Sequence, residues 1–338
     1  MKRNLRDVIA RPQPTAKDAA YCRMTNRLGA ALLIFLALFS SLSLLTSPIV
    51  LWANKALPYE VAYTIEDLLG SLRYFVSFAT PVVLFRFLAK KEERVPVKLT
   101  PVLPRHTPLL LLAGIAVIHC TAIINSWISD LLLYSEFSSD VLWDTSTLTD
   151  YQGILMFIGT AIVPAFCEEL LFRGLVLGNL LPYGKTSAIL SSALLFGLMH
   201  QNLGQMLYAT MAGVVLGIIY VETRSIWAST LMHFLNNLSS VINSILWDRL
   251  DTVSANRMIA LLELVLIGGG MVALVVLIRR RERAKQAGES SSEEQENESC
   301  VSPRYRIRGF FSPLMTAFVA ITVVEMIMLW MLALSYGG

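Results

Sequence analysis

Long apolar segments separated by short polar stretches make up most of the chain. A helix needs about 20 consecutive apolar residues to cross a bilayer, and nine segments approach that length. We therefore predict an all-α, polytopic membrane protein with about nine transmembrane helices. Eight is the alternative, because the fifth segment is short. The nine segments are residues 28–52, 70–89, 107–134, 151–178, 187–201, 204–222, 226–247, 258–278 and 310–336.

Basic residues are distributed unevenly over the connecting segments. The first 27 residues contain seven Lys and Arg and residues 90–106 contain five, whereas residues 135–150 contain none. Because basic loops mark the cytoplasmic side of a membrane protein, we expect the N-terminus in the cytoplasm. Residues 279–308 begin with the sequence RRRER, and residues 286–299 are polar and low in complexity. We interpret this region as a cytoplasmic linker whose role the sequence does not give.

The composition agrees with a membrane protein and excludes some partners. Of 338 residues, 55% are hydrophobic and only 16% are charged. A soluble protein of this length could not bury so much apolar surface, so we expect a multi-pass protein of the cell membrane. The net charge of +3 is too small to indicate a nucleic-acid partner. The four cysteines lack CxxC spacing, so no disulfide framework or zinc ribbon is predicted.

The fourth apolar segment carries the stretch FCEELLFRGL, which places Glu168, Glu169 and Arg173 where lipid is expected. Each ionisable residue in a spanning helix costs about 2.5 kcal/mol or more, which points to a function. Glu169 and Arg173 are four residues apart and can pair on one helix face. Glu168 points about 100° away from that face. We therefore expect Glu169 and Arg173 to neutralise each other and Glu168 to remain available for chemistry.

Two further segments place polar residues at helical spacing. The fifth contains Phe196 and His200 in FGLMH, and the seventh contains His233 and Asn237 in HFLNN. A carboxylate in a low-dielectric pocket suits a general base that takes a proton from water. Histidine and asparagine donors could then hold the oxyanion formed when that water attacks an amide. The set predicts a hydrolase that uses water rather than a covalent intermediate.

Three other interpretations of the same residues stay open. A divalent metal such as zinc could bind to Glu168, His200 and His233, because two histidines and a carboxylate form a plausible metal triad. Polar residues also join membrane helices by hydrogen bonds without any catalytic role. Buried Glu and His could relay protons in a transporter, although the chain shows no inverted repeat in its hydropathy.

The three motifs EExxxR, FxxxH and HxxxN, in this order and on three predicted spans, resemble those of a known family. Over residues 150 to 240 the chain is similar to the CAAX protease and bacteriocin-processing family of intramembrane proteases, which includes the type II CAAX prenyl endopeptidases. The predicted division is a basic cytoplasmic segment, N-terminal transmembrane helices, a catalytic transmembrane core, and C-terminal helices that include the linker. These parts comprise residues 1–27, 28–150, 151–247 and 248–338, with the linker at 279–308.

The resemblance implies an intramembrane (metallo)endopeptidase. It assigns water activation to Glu168 with help from His200, and oxyanion stabilisation to His233 and Asn237. Glu169 and Arg173 would support the site. The expected substrate is a membrane-bound or lipidated peptide, cleaved in CAAX-type or bacteriocin-type processing. A non-catalytic immunity or scaffold protein that kept the fold is the alternative.

Overall fold

A computed structural model describes residues 15–88, 103–131, 150–287 and 301–336. This part of the chain is almost entirely helical and contains no β-strand, which confirms the all-α prediction. Several predictions concern segments outside the described residues. These segments are 1–14 of the basic N-terminus, 89–102 and 132–149 of the two loops, and 288–300 of the linker, which includes most of the polar stretch 286–299.

Three long helices come first and six helices come last, with an irregular helical run between them. We number the α-helices in chain order. The first three are α1 (Ala16–Ala56), α2 (Tyr59–Leu88) and α3 (Thr107–Leu131). The last six are α7 (Lys185–Met199), α8 (Leu203–Thr223), α9 (Ile226–Arg249), α10 (Thr252–Gln286), α11 (Pro303–Phe310) and α12 (Pro313–Tyr336).

The run over residues 150–183, which we name the motif helix, alternates between helix types. It begins as α4 (Asp150–Phe157), widens to a π-helix at Ile158–Ile162 and returns to α-helix in α5 (Val163–Glu169). A second π-helical stretch follows, and the run ends in one short α-helix and one 3₁₀ turn. These last three pieces are Leu170–Leu177, α6 (Gly178–Leu180) and Leu181–Tyr183.

Seven helical segments in the described ranges are long and apolar enough to cross a bilayer. Many large apolar side chains on them face outward, as in α10, where Leu264 is 70% exposed and Val265 is 63% exposed. A surface of this kind is suited to lipid rather than water, and the protein is a multi-pass membrane protein. The other two predicted spans are the 15-residue α7 and the more polar α9. The number of nine and the orientation of the N-terminus stay predictions.

Helix packing encloses the motif helix. It lies against α2, α7 and α9, while α1 packs against α2 and α12. On the other side, α3 packs against α8 and α10. The three sequence motifs therefore lie on three helical segments, the motif helix, α7 and α9, in the interior of the bundle. The four-part division of the chain stays a prediction.

Candidate active site

Glu169 and Arg173 form the ion pair that their spacing predicts. Arg173 Nη1 donates to Glu169 Oε1 at 2.7 Å, and neither side chain is exposed. The second guanidinium nitrogen, Nη2, donates to the carbonyl of Gly213 on α8 at 3.0 Å. The guanidinium also lies over the ring of Phe196, 4.6 Å from its centroid. These contacts tie the motif helix to α7 and α8 through one buried cation.

His233 on α9 lies between the two glutamates. Its Nδ1 is 3.1 Å from Glu169 Oε1, and its Nε2 is 3.7 Å from Glu168 Oε2. An ionised carboxylate only accepts hydrogen bonds, so we assign the hydrogen to Nδ1. The other ring nitrogen then points toward Glu168. Two polar atoms separated by 3.7 Å can share one water molecule, because each can lie at hydrogen-bond distance from it.

The two oxygens of the Glu168 carboxylate have different surroundings. Tyr74 on α2 donates its hydroxyl to Oε1. Oε2 is buried and has no hydrogen-bond partner among the described residues. The residue as a whole is only 4% exposed. A buried acceptor without a partner is costly unless it binds water or substrate. Oε2 of Glu169 is buried without a partner as well, but Glu168 Oε2 in addition faces His233 Nε2, so Glu168 Oε2 is the oxygen that points to chemistry.

Phe196 lies between the two histidines of the site. Its ring centroid is 4.9 Å from that of His200 and 5.8 Å from that of His233, both edge-to-face. His200 caps α7 and its Nδ1 is 2.8 Å from the carbonyl of Phe196. Because a carbonyl can only accept, the hydrogen is again assigned to Nδ1. The ring of Phe196 therefore lies between His200 and His233, whereas the imidazole of His233 lies beside Glu168.

Asn237 lies one turn after His233 on α9 and contacts the motif helix. Its Nδ2 donates to the carbonyl of Thr160 at 3.4 Å. In an α-helix that carbonyl would pair with the amide of residue 164, but Pro164 has no amide hydrogen. The side-chain oxygen of Asn237, Oδ1, accepts a hydrogen bond from Asn236 Nδ2 at 3.4 Å. Among the described residues, the Nδ2 group of Asn237 has one acceptor, the carbonyl of Thr160.

The π-helical stretches are a local feature of the motif helix that the sequence did not predict. One ends at Ile162, just before Pro164, and the other begins at Leu170, directly after Glu169. Pro164 itself lies in α5, so the helical run continues through it although proline removes one backbone donor. π-Helical turns in α-helices occur often at functional sites, and here they bracket the two glutamates.

A metal site does not follow from this arrangement. Among the described residues, no three His, Cys, Asp or Glu side chains come close enough together to hold a metal ion. Of the three proposed ligands, Glu168 and His233 are adjacent to each other, whereas the ring of His200 contacts Phe196. The residues as placed do not fit a three-ligand zinc site, and we derive no step through a metal.

Two acidic residues in apolar helices outside the site have polar partners. His119 Nδ1 on α3 is 2.8 Å from Glu263 Oε2 on α10, and Gln201 donates to Glu325 on α12. Glu263 and Glu325 have no polar partner at helical spacing in their own helices, which favours packing or interface roles for them. The structure gives Glu263 a partner on another helix, as a helix-joining role requires, and gives Glu325 a partner in the connection between α7 and α8.

Sequence reasoning missed Tyr74, which contacts the proposed base. Its neighbour Arg73 is an ionisable residue within the second predicted span, so the criterion applied to the fourth segment would have marked this place as well. Arg73 donates to Ser43 at 3.2 Å and lies over Phe39 at 5.3 Å. The ionisable Arg73 could therefore have drawn attention to this span, but none of the three sequence motifs includes a residue of it.

Comparison with known proteins covers the motif region. Residues 150–239 match the family described as "Type II CAAX prenyl endopeptidase Rce1-like". The chain is 35% identical over 91 residues to the Bacillus subtilis (strain 168) protein named "Putative membrane peptidase YdiL". That match covers 26% of the length of this chain and 36% of the length of the relative. No solved structure matches the chain. Residues 150–239 thus match the model of this family, which confirms the resemblance drawn from the three motifs.

Proposed function

We propose that the protein is an intramembrane endopeptidase that hydrolyses a peptide bond of a membrane-associated or lipidated protein with a water molecule activated by Glu168. The observation that carries the proposal is the pairing of Glu168 Oε2 with His233 Nε2. Both atoms lie in a buried site, 3.7 Å apart, and Oε2 has no hydrogen-bond partner in the described part of the chain. One water molecule bonded to both would be held and polarised.

The reaction begins with proton transfer from that water to Glu168 Oε2. The hydroxide attacks the carbonyl carbon of the scissile bond and forms a tetrahedral oxyanion. Asn237 donates its second Nδ2 hydrogen to the oxyanion, in the manner of an oxyanion hole. As the bond between carbon and nitrogen breaks, the proton returns from Glu168 to the leaving amine. The products are a carboxylic acid and an amine, so one water is consumed for each bond cut.

The two imidazoles are placed to accept and donate protons during the reaction. His200 and His233 both hold the Nδ1 hydrogen against a protein acceptor, Phe196 O or Glu169 Oε1. Each therefore offers Nε2 for accepting a proton and, once protonated, for donating one to the oxyanion. This arrangement supports the assignment of both histidines to the site. Zinc binding by Glu168, His200 and His233, which the residues as placed do not support, is tested by adding a chelator to the same cleavage assay.

The test compares cells that carry the native protein, Glu168→Gln or Glu263→Gln. Glu168→Gln keeps the size and a hydrogen-bond acceptor but removes the base. Glu263→Gln is the matched control, because it makes the same change in another acid within an apolar helix, outside the site. Mass spectrometry of membrane peptides should find new termini with the native protein and the control, and none with Glu168→Gln.

The alternatives predict different results. A non-catalytic immunity or scaffold protein would preserve its phenotype in the Glu168→Gln cells and would produce no new peptide termini with any form. Cleavage that continues unchanged in Glu168→Gln would show that another group is the base. Equal expression and insertion of all three forms, measured by immunoblotting of membranes, is required for either conclusion.

A further inference from the structure

We propose that Tyr74, which lies outside the matched residues 150–239, is a positioning residue of the active site. Its hydroxyl holds Glu168 Oε1, so that Oε2 is the oxygen that receives the proton from water. The inference deepens the proposed function and rests on it. It also assigns part of the catalytic arrangement to α2, a helix that none of the three motifs includes.

The hydrogen bond from Tyr74 distinguishes two otherwise equivalent oxygens. A carboxylate can rotate about its last side-chain torsion, which exchanges Oε1 and Oε2. With Oε1 bonded to the tyrosine hydroxyl, such a rotation would break a hydrogen bond to a charged group. Oε2 is then kept toward His233 Nε2 at 3.7 Å. Catalytic groups held in the productive geometry gain rate because fewer unproductive orientations compete.

An aromatic cluster fixes the tyrosine ring itself. The ring of Tyr74 stacks on Phe78, with centroids 4.4 Å apart and planes at 22°. Phe39 of α1 meets the Tyr74 ring edge-on at 6.2 Å, and Phe35 lies 4.5 Å from Phe78. Phe78 is 1% exposed, so this packing is in the protein core. Rings with such neighbours have few rotamers available, which fixes the place of the hydroxyl.

The experiment removes the hydroxyl and keeps the ring. Tyr74→Phe preserves the stacking on Phe78 but leaves Oε1 without its donor. Tyr63→Phe is the control, because it makes the same change on α2 at a hydroxyl that has no hydrogen-bond partner among the described residues. The assay uses a membrane peptide whose cleavage by the native protein depends on Glu168. For Tyr74→Phe we expect kcat to fall about 10-fold or more, the loss typical of a hydrogen bond to a charged group.

The division between kcat and KM separates positioning from packing. We expect KM to stay within about twofold in Tyr74→Phe, because the binding groups are retained. The thermal unfolding midpoint should fall only by the loss of one buried hydrogen bond, because the ring packing is kept. Tyr63→Phe should match the native protein in all three. Unchanged kcat in Tyr74→Phe would overturn the inference while leaving the proposed function intact. An equal loss in Tyr63→Phe would also overturn it, because the effect would then not be specific to Glu168.

A second measurement does not depend on activity. Infrared difference spectra between the native protein and Tyr74→Phe should show a shifted carboxylate stretching band, because one oxygen of Glu168 loses its donor. The same comparison made in a Glu168→Gln background should lack that band. A spectrum without the Glu168-dependent band overturns the inference even if no peptide is ever cleaved. Absence of cleavage together with the expected band contradicts only the proposed function.

Discussion

Glu168 and Glu169 are neighbours in the sequence but have different partners. Glu169 shares Oε1 between Arg173 and His233, at 2.7 Å and 3.1 Å. Glu168 is bonded by Tyr74 through Oε1 and has no partner at Oε2 in the described residues. The 100° rotation between consecutive helical residues separates them in this way. Oε2 of Glu169 also has no hydrogen-bond partner among the described residues, so the difference lies in the partners of the two carboxylates: Glu169 holds the buried cation, whereas Glu168 faces His233 Nε2.

Removing the charge of Glu169 should destabilise the protein through Arg173. In Glu169→Gln the guanidinium would stay fully buried without a counter-ion, which costs about 3 kcal/mol or more. We expect a clear fall in the thermal unfolding midpoint of the detergent-solubilised protein. The double variant Glu169→Gln/Arg173→Met removes both charges and should recover part of the loss. If the double variant is no more stable than Glu169→Gln, the ion pair is not the origin of the effect.

The site was predictable to the extent that its contacts lie within single helices. The pairing of Glu169 with Arg173 follows from a spacing of four residues, and the structure contains it. The contact of Tyr74 with Glu168 spans 94 residues, and that of Asn237 with Thr160 spans 77. No periodicity within one segment encodes such pairs, because they depend on how separate helices pack. The π-helical turns were missed because apolar periodicity hardly differs between wide and normal turns.

At the scale of elements, the sequence indicated the long apolar helices but gave poor boundaries, and it did not indicate α11 (Pro303–Phe310), which lies almost entirely in the predicted linker. The first apolar segment, 28–52, is only part of α1, which begins at Ala16. Thr15 and Asp18 form a reciprocal cap at its start, with bonds of 3.1 Å and 3.0 Å between side chain and backbone. α10 likewise begins before the segment 258–278, because the Asp251 carboxylate accepts from two backbone amides. Hydropathy detects the lipid-facing part of a helix and not its capped ends.

Close contact between α7 and α8 depends on small residues. A Cβ at Gly213 would lie 2.9 Å from Ala193 Cα, and one at Gly217 would lie 3.1 Å from Ile189. This agrees with the packing role that the GxxxG spacing indicates. Gly197, inside the FxxxH motif, is tighter still, because a Cβ there would overlap Thr210 Oγ1 and approach Met206 O at 2.7 Å. The helix that presents His200 can therefore approach α8 only with glycine at 197.

Gly197→Ala should separate α7 from α8 and displace His200. We expect a lower thermal unfolding midpoint and reduced cleavage, because the added methyl group meets backbone as well as side-chain atoms. Gly268→Ala in α10 is the matched control, because a Cβ there would meet nothing within 4 Å. The control should keep its activity and its stability. If both variants behave alike, close packing at Gly197 does not position the motif.

At the scale of the whole molecule, the number of helices that cross the bilayer depends on α7 and α9. α7 has 15 residues, and at 1.5 Å per residue it is about 22 Å long, less than the roughly 30 Å of a hydrocarbon core. Its last turn nevertheless brings Phe196 to Arg173 and His233. A short helix that ends within the bundle explains how His200 reaches the level of the site. α9 is long enough to cross but is less apolar than the seven clear candidates.

Topology can be decided at the two ends of α9. If all nine segments cross and the N-terminus is cytoplasmic, residue 224 lies on the cytoplasmic side and residue 250 on the opposite side. Arg224 and Leu250 are both exposed, so Arg224→Cys and Leu250→Cys, each in a chain without its native cysteines, would react with a membrane-impermeant thiol reagent. We expect labelling of residue 250 in intact cells, and of residue 224 only after the membrane is opened. Labelling of both from one side would mean that α9 does not cross. Reversed labelling would mean either that the N-terminus is not cytoplasmic or that an odd number of the six earlier segments do not cross.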